Sequence, residues 1–79
     1  MNENEKIARE ILEVTCDTDE IFEDYDLDLV GEGYIDSFAV LNVIIEIEKR
    51  TGIKLQVSDI KKDDVASINK LIAFLDKIR

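Results

Sequence analysis

Apolar residues recur at helical spacing in three segments of this 79-residue chain. In the first segment, from about Asn4 to Val14, apolar residues stand three and four positions apart with acidic residues between them. This spacing predicts an amphipathic helix that Asn2 or Asn4 caps. The residues predicted to face its core are Ile7, Ala8, Ile11, Leu12 and Val14.

The segment from Cys16 to Ile35 has no sustained periodicity, because acidic residues alternate irregularly with apolar ones. We expect a long acidic loop, with Thr18 capping a single helical turn through Phe22 and glycines marking tight turns near its end. A loop of this length is unusual in so small a domain and is often functional. Its predicted apolar anchors are Ile21, Phe22, Tyr25, Leu27, Leu29 and Val30.

The densest apolar segment runs from Ser37 to about Arg50 and is followed by Thr51-Gly52. We predict a helix here because about 14 residues exceed a typical strand and the charged residues enter at helical spacing. Gly52 is a typical helix stop. An extended connection comes next, and Ser58-Asp59 can cap a short turn or helix through Lys62. Asp63-Asp64 and Ser67 then offer the start of a last helix, which runs from Ile68 to about Ile78. The apolar face of that last helix is predicted as Ile68, Leu71, Ile72, Leu75 and Ile78.

The central helix carries two apolar stripes. One consists of Val40, Val43, Ile44, Ile47 and Thr51 and accounts for the core side. The other consists of Phe38, Leu41 and Ile45, which point to a different face. Either Tyr25, Leu27 and Leu29 of the long loop cover this second stripe, or it stays exposed as a contact surface.

The formal net charge is −9, from 19 acidic and 10 basic side chains. This charge repels nucleic acid and anionic lipid and favours partners with basic protein surfaces. No apolar run approaches the roughly 20 residues of a membrane span, and the charged start does not resemble a signal peptide. We therefore expect a cytoplasmic protein without membrane insertion, formed by a single domain over residues 1–79.

Catalytic chemistry within the chain is not expected. Cys16 is the only cysteine and histidine is absent, which excludes an intramolecular disulfide, a Cys/His metal site and a histidine-activated nucleophile. Asp24, Asp26 and Asp28 have the first three spacings of a calcium-binding EF-hand loop. However, Leu29 and Ile35 occupy the positions that require glycine and a bidentate glutamate, so no metal site is predicted.

Ser37 follows Asp36 at the predicted start of the central helix. Asp and Ser satisfy free backbone N–H groups at a helix start, and the dipole there favours a phosphate. Taken alone, the pair is explained as a plain helix cap. The same geometry and field also suit a phosphate ester on Ser37.

The whole chain resembles an acyl carrier protein. The resemblance includes the amphipathic first helix, the acidic loop, the Gly-Tyr-Ile-Asp-Ser-Phe run at residues 33–38, the Thr-Gly-Ile run at 51–53 and the Ser67-capped last helix. It implies an all-α fold, a small three-to-four-helix bundle of acyl-carrier type with a long loop between helices 1 and 2. It also implies a 4'-phosphopantetheine arm on Ser37, with Asp36 in a supporting role.

Within that family, residues 33–48 are most similar to D-alanyl carrier proteins of teichoic-acid alanylation and to related stand-alone carriers. Ala39 and Asn42 occupy positions where fatty-acid carriers present acids, and Thr51 stands where related carriers often have an aromatic core residue. The residues expected to contact partners are Phe38, Leu41, Ile45, Glu46 and Glu48.

The implied mechanism needs other proteins. A phosphopantetheinyl transferase attaches the arm, an adenylating ligase or acyltransferase loads its thiol, and a downstream acceptor enzyme receives the cargo from a monomeric, non-catalytic carrier. D-alanine, another amino acid, and a fatty, polyketide or nonribosomal-type acyl group all remain open. Two other hypotheses are an unmodified acidic interaction module and a calcium-responsive loop.

Overall fold

The computed structural model describes residues 2–79, which form three α-helices joined by two irregular connections. Within these residues there is no β-strand, so the all-α prediction is confirmed. None of the helices in this part of the chain is long and apolar enough to cross a membrane. The α-helices are α1 at Glu3–Cys16, α2 at Ser37–Thr51 and α3 at Ile68–Ile78, and short 3-10 helices span Glu20–Glu23, Val57–Asp59 and Lys62–Val65.

The predicted caps set the helix boundaries. Asn2 Oδ1 accepts a hydrogen bond from the backbone N–H of Glu5 at 2.7 Å, so Asn2 rather than Asn4 begins α1. Ser67 Oγ accepts from the N–H of Lys70 at 3.1 Å and begins α3. Gly52 ends α2 with φ 76°, a left-handed conformation in which a side chain is strained. Each of these caps satisfies backbone groups that have no partner within their own helix.

The three α-helices share one hydrophobic core. Leu12 of α1, Ile47 of α2 and Leu71 of α3 are all fully buried. Residues of the irregular connections complete this core, because the helices alone leave its edges open. They are Ile21, Leu29, Ile35, Ile60 and Val65.

Two core assignments from the sequence were wrong at helix edges. Val14 is 57% exposed, because it lies at the edge of the apolar face of α1. Its side chain lines an open surface depression among acidic residues instead of packing against another element. In α3 Phe74 is buried, although it was left out of the predicted face, whereas Ile72 and Ile78 are only half-buried. The centre of the apolar face is therefore rotated toward Phe74.

The long connection between α1 and α2 is fixed to α1 and α3 by Tyr25. Its hydroxyl donates to Glu5 Oε2 at 2.9 Å and accepts from Arg9 Nη1 at 3.1 Å. Its backbone carbonyl accepts from the N–H of Asn69 at 3.1 Å, in the first turn of α3. The predicted single turn near Thr18 is present as the 3-10 helix Glu20–Glu23.

The connection between α2 and α3 contains two short turns instead of the single one predicted from Ser58-Asp59 through Lys62. Ile60 separates them because its side chain is buried in the core and its backbone is extended. Thr51 stabilises the start of this connection, since its hydroxyl donates to the Ile47 carbonyl at 2.7 Å and accepts from the Ile53 N–H at 3.1 Å.

Candidate functional site

The loop that precedes Ser37 is held by two buried residues, Leu29 and Ile35. The Leu29 carbonyl accepts hydrogen bonds from the N–H groups of Tyr34 at 2.9 Å and Ile35 at 3.1 Å. The Leu29 N–H donates to the Ala66 carbonyl at 2.7 Å, which ties the loop to the segment before α3. The chain therefore leaves the core at Ile35 and reaches the surface at a fixed point.

Two glycines shape the turn between those anchors, for different reasons. Gly33 has φ 85°, a conformation that favours glycine. Gly31 instead lies so close to Asp28 that a Cβ there would collide with the Asp28 carboxylate. That carboxylate accepts from the Gly31 N–H at 3.0 Å and closes the turn.

Asp36 is the N-cap of α2, and Ser37 is the first residue of the helix. Asp36 Oδ1 accepts from the N–H of Ala39 at 2.9 Å, so the aspartate and not the serine provides the cap. Ser37 is exposed and lies where the helix dipole and the free N–H groups of the first turn stabilise an attached phosphate. Of the other two serines, Ser67 is 6% exposed and caps α3, whereas Ser58 lies on an exposed turn.

We predict that Asp36→Ala lowers the free energy of unfolding by about 1 kcal/mol, the usual cost of losing an N-cap. Asp36→Asn is the matched control, because asparagine caps equally well but carries no charge. Chemical denaturation of both variants measures the effect. Equal stability of wild type and Asp36→Ala would contradict the capping role.

The second apolar stripe of α2 is exposed. Phe38, Leu41 and Ile45 are 82%, 42% and 57% exposed, and we refer to these three residues as the exposed strip. The long loop does not cover it, since Leu29 enters the core and Tyr25 bonds to α1 and α3. The strip begins one residue after Ser37, so a partner that reaches the serine also meets apolar surface.

Glu46 does not face a partner, which corrects the expectation from the sequence. It is 7% exposed and its carboxylate is hydrogen-bonded to Lys49 Nζ at 3.2 Å and to Arg50 Nε at 3.2 Å. Arg50 also contacts Glu10 of α1 at 2.7 Å. Glu46 therefore helps to join α2 to α1, because Arg50 pairs with both Glu46 and Glu10. Glu48, the other acid expected to contact partners, is exposed.

Burial raises the pKa of Glu46, but the hydrogen bonds and charges of Lys49 and Arg50 outweigh it and leave the pKa below its ordinary value. A carboxylate with a lowered folded-state pKa stabilises the fold above its unfolded-state pKa, and this contribution is lost as the pH falls through the folded value.

We predict that Glu46→Gln lowers the free energy of unfolding by about 1 kcal/mol at neutral pH. The difference from wild type begins to shrink as the pH falls below the ordinary glutamate pKa of about 4.3, and it is lost once the pH is below the lowered folded-state pKa, where Glu46 is protonated. Denaturation at several pH values measures this. A difference that stays constant down to pH values near 3 would contradict the ion-pair account.

The three aspartates with EF-hand spacing serve the loop itself. Asp24 Oδ1 accepts from the Asp26 N–H at 2.9 Å, and Asp26 Oδ1 accepts from Asn69 Nδ2 at 2.8 Å. Asp28 closes the turn at Gly31. These carboxylates therefore point to separate partners, and residues 2–79 contain no group of three or more side chains positioned to hold a metal ion.

Cys16 is half-buried at the end of α1. Burial raises the pKa of its thiol to about 11, so the thiol is protonated at neutral pH and is a weak nucleophile.

The sequence pattern did not predict that the polar groups of two residues, Asn42 and Tyr25, position α2 and the loop. Asn42 Nδ2 donates to Thr15 Oγ1 at 2.9 Å and joins α2 to α1. Tyr25 was assigned only as an apolar anchor, and its hydroxyl bridge to α1 was not anticipated. The sequence did carry one signal for the role of Asn42, which is a polar side chain within an otherwise apolar helical run.

Comparison with known proteins agrees with this geometry. A family model described as a phosphopantetheine attachment site matches residues 5–75. Proteins named D-alanyl carrier protein from Bacillus cereus (strain B4264) and Bacillus anthracis (strain CDC 684 / NRRL 3495) are each 37% identical over 79 residues. Both alignments cover 100% of this chain and 100% of the relative.

Proposed function

Given that this chain belongs to the family of phosphopantetheine-binding carrier proteins, we propose that Ser37 is the residue that bears the arm. As a carrier, the chain is a substrate of enzymes and not itself an enzyme. Its cofactor is covalently attached 4'-phosphopantetheine. The observation that carries the assignment to Ser37 is that this serine is exposed at the N-terminus of α2 while Asp36 supplies the helix cap.

The residues around Ser37 suit attachment of a phosphate ester. In this reaction Ser37 Oγ would attack the phosphorus of coenzyme A that bears the pantetheine. The P–O bond of the pyrophosphate linkage would break, adenosine 3',5'-bisphosphate would leave, and the serine proton would pass to a base of the transferase. A phosphodiester on Ser37 would be stabilised by the positive end of the α2 dipole, because Ser37 is the first residue of that helix. Asp36 keeps the first turn formed while the serine is presented, and Ile35 anchors the chain just before it.

The arm supplies a thiol that holds an acyl group as a thioester on a flexible tether. Such a tether raises the effective concentration of the cargo at each docked enzyme. We propose D-alanine as the cargo, since the full-length relatives are named D-alanyl carrier proteins. The proposed partners are then a phosphopantetheinyl transferase, an adenylating ligase that loads D-alanine and an acceptor enzyme downstream. Glu48 is proposed as an acidic contact for one of them.

Two steps test this proposal. The apo-protein is incubated with coenzyme A and a broad-specificity transferase, and its intact mass is measured. The holo-protein is then given ATP, labelled D-alanine and a D-alanine-activating ligase, with labelled L-alanine and a fatty acid as competitors. We expect one arm per chain and label released by hydroxylamine, as thioesters are. Absence of the arm would contradict the carrier assignment to Ser37, and preferential loading of another acid would contradict the choice of cargo.

We also propose that the carrier acts as a monomer and as a single domain over residues 1–79, in the cytoplasm. Helices α1, α2 and α3 contribute to one core, which supports the single domain. Sedimentation equilibrium at increasing concentration tests the monomer, with an expected mass of 9.0 kDa. A mass that rises toward twice this value would contradict it. Cell fractionation tests the location, and recovery outside the cytoplasmic fraction would contradict that part.

A further inference from the structure

Positive charge is concentrated in one segment of this acidic chain. Residues 49–62 hold five basic side chains and one acidic side chain, which gives a formal charge of +4. The other 65 residues hold five basic and 18 acidic side chains, which gives −13. The basic segment consists of the end of α2 and the first part of the connection to α3.

The lysines of that connection have no acidic partner in the fold. The two basic residues at the end of α2 form ion pairs with acids of α2 and α1. Lys54, Lys61 and Lys62, in contrast, are exposed and take part in no ion pair within residues 2–79. Their charges are therefore accessible to another molecule.

Val57 lies between these lysines in the chain and is 66% exposed, more than any other large apolar side chain except Phe38. Its position is fixed by the 3-10 turn that it begins. The Gln56 N–H donates to Asp59 Oδ2 at 2.8 Å, and the buried Ile60 follows the turn. The fold thus holds an apolar side chain in water beside three unpaired lysines.

The two acids that follow the segment have other partners. Asp64 Oδ2 accepts from the backbone N–H of Lys61 at 2.8 Å and closes the next turn. Asp63 Oδ1 pairs with Lys70 Nζ of α3 at 2.7 Å. Neither carboxylate forms an ion pair with the side chain of Lys61 or Lys62.

We propose that Lys54, Val57, Lys61 and Lys62 form a basic patch that binds a protein partner with carboxylates around a small apolar pocket. Opposite charges on the two surfaces attract each other and orient the partner. Burial of Val57 in the pocket removes apolar surface from water, which is favourable. The charge of this partner surface is opposite to that expected from the net charge of the whole chain, and its binding does not depend on which residue bears the arm.

The size of the protein favours a compact acidic protein surface over an anionic membrane. The Cα atoms extend over only 28 × 28 × 19 Å, and the Debye length is about 8 Å at physiological ionic strength. A wide anionic plane that touches the basic patch therefore also meets the charge of −13 on the rest of the chain. A small cluster of carboxylates on a protein contacts the basic segment alone.

The test titrates the isotope-labelled full-length protein with a short peptide and follows the backbone amide signals by NMR. The peptide has a central leucine flanked on each side by two glutamates and is blocked at both ends. A peptide with glutamine in place of glutamate has the same length and leucine but no charge. Vesicles of phosphatidylglycerol and phosphatidylcholine are the third probe.

We expect the glutamate peptide to shift signals of residues 53–62, with a Kd on the order of 1–10 mM at low salt. Binding should weaken at least about twofold between about 0.05 M and about 0.5 M NaCl, since the Debye length falls roughly threefold. Val57→Ser should also weaken it, because the apolar contact is lost.

The combined variant Lys61→Gln/Lys62→Gln should weaken binding about threefold or more, because two exposed ion pairs are lost. The matched control is Lys6→Gln/Lys77→Gln, which removes the same charge from exposed lysines of α1 and α3 and should change the Kd by less than about 1.5-fold.

Unmoved signals at about 10 mM glutamate peptide would overturn the proposed patch, as would shifts centred on other residues. Equal shifts with the glutamine peptide, or equal weakening by the control variant, would overturn the role of the lysines. Binding to the vesicles in preference to the peptide would overturn the choice of a protein partner. The titration is made with and without the arm, whose attachment is measured by mass, so failure of the carrier function is detected separately.

Discussion

Replacing Ser37 with alanine is expected to reduce attachment of the arm to background, the largest functional effect predicted for any single substitution here. No other serine combines exposure with a position at the N-terminus of an α-helix, because Ser67 is buried as a cap and Ser58 lies in a 3-10 turn. Intact mass after incubation with coenzyme A and a transferase measures the effect.

The same substitution should leave the fold unchanged. Asp36 supplies the cap of α2 and Ser37 is exposed, so we expect Ser37→Ala to alter the free energy of unfolding by less than about 0.5 kcal/mol. Ser58→Ala is the matched control for removal of an exposed serine hydroxyl and should acquire the arm normally. Full modification of Ser37→Ala, or loss of modification in Ser58→Ala, would contradict the assignment.

Replacing Leu71 with alanine should produce the largest loss of stability. Leu71 is fully buried in the core that α1, α2 and α3 share, and truncating a buried leucine costs about 2–5 kcal/mol. A domain of this size has roughly 4–12 kcal/mol in total, so this variant should lose a large share of its stability and its Tm should fall by at least about 8 °C. Thermal unfolding followed by circular dichroism measures the change.

Leu41→Ala is the matched control for this substitution, because Leu41 belongs to the exposed strip and is 42% exposed. It should cost less than about 1 kcal/mol. Equal destabilisation by the two substitutions would show that the strip is packed in solution, contrary to the structure.

The helices were predictable because their signals are local. The Asn2, Asp36 and Ser67 caps and the Gly52 stop are each readable from a few residues, and the structure has all four. The full-length resemblance to a carrier family then predicted the helical bundle, the phosphopantetheine cofactor and the serine that bears it. The family match over residues 5–75 agrees with that interpretation.

The sequence could not decide contacts between distant segments. Val14 and Phe74 were misassigned because burial at the edge of a helix depends on what packs against it. Glu46 was taken for an exposed acid because its arrangement with Arg50 and Glu10 requires the relative position of α1 and α2. Exposure of the strip was equally open, since it depended on where Leu29 and Tyr25 of the long loop were anchored.

The position of the arm on the wild-type chain tests the central claim most directly. Wild-type protein is modified with coenzyme A and a transferase, digested with trypsin, and the modified peptide is fragmented in a mass spectrometer. Ser37 is the only serine between Arg9 and Lys49, so that peptide separates it from Ser58 and Ser67. We predict the arm on this peptide, with fragment ions that place it on Ser37. An arm on any other residue, or an unmodified chain, would contradict the account.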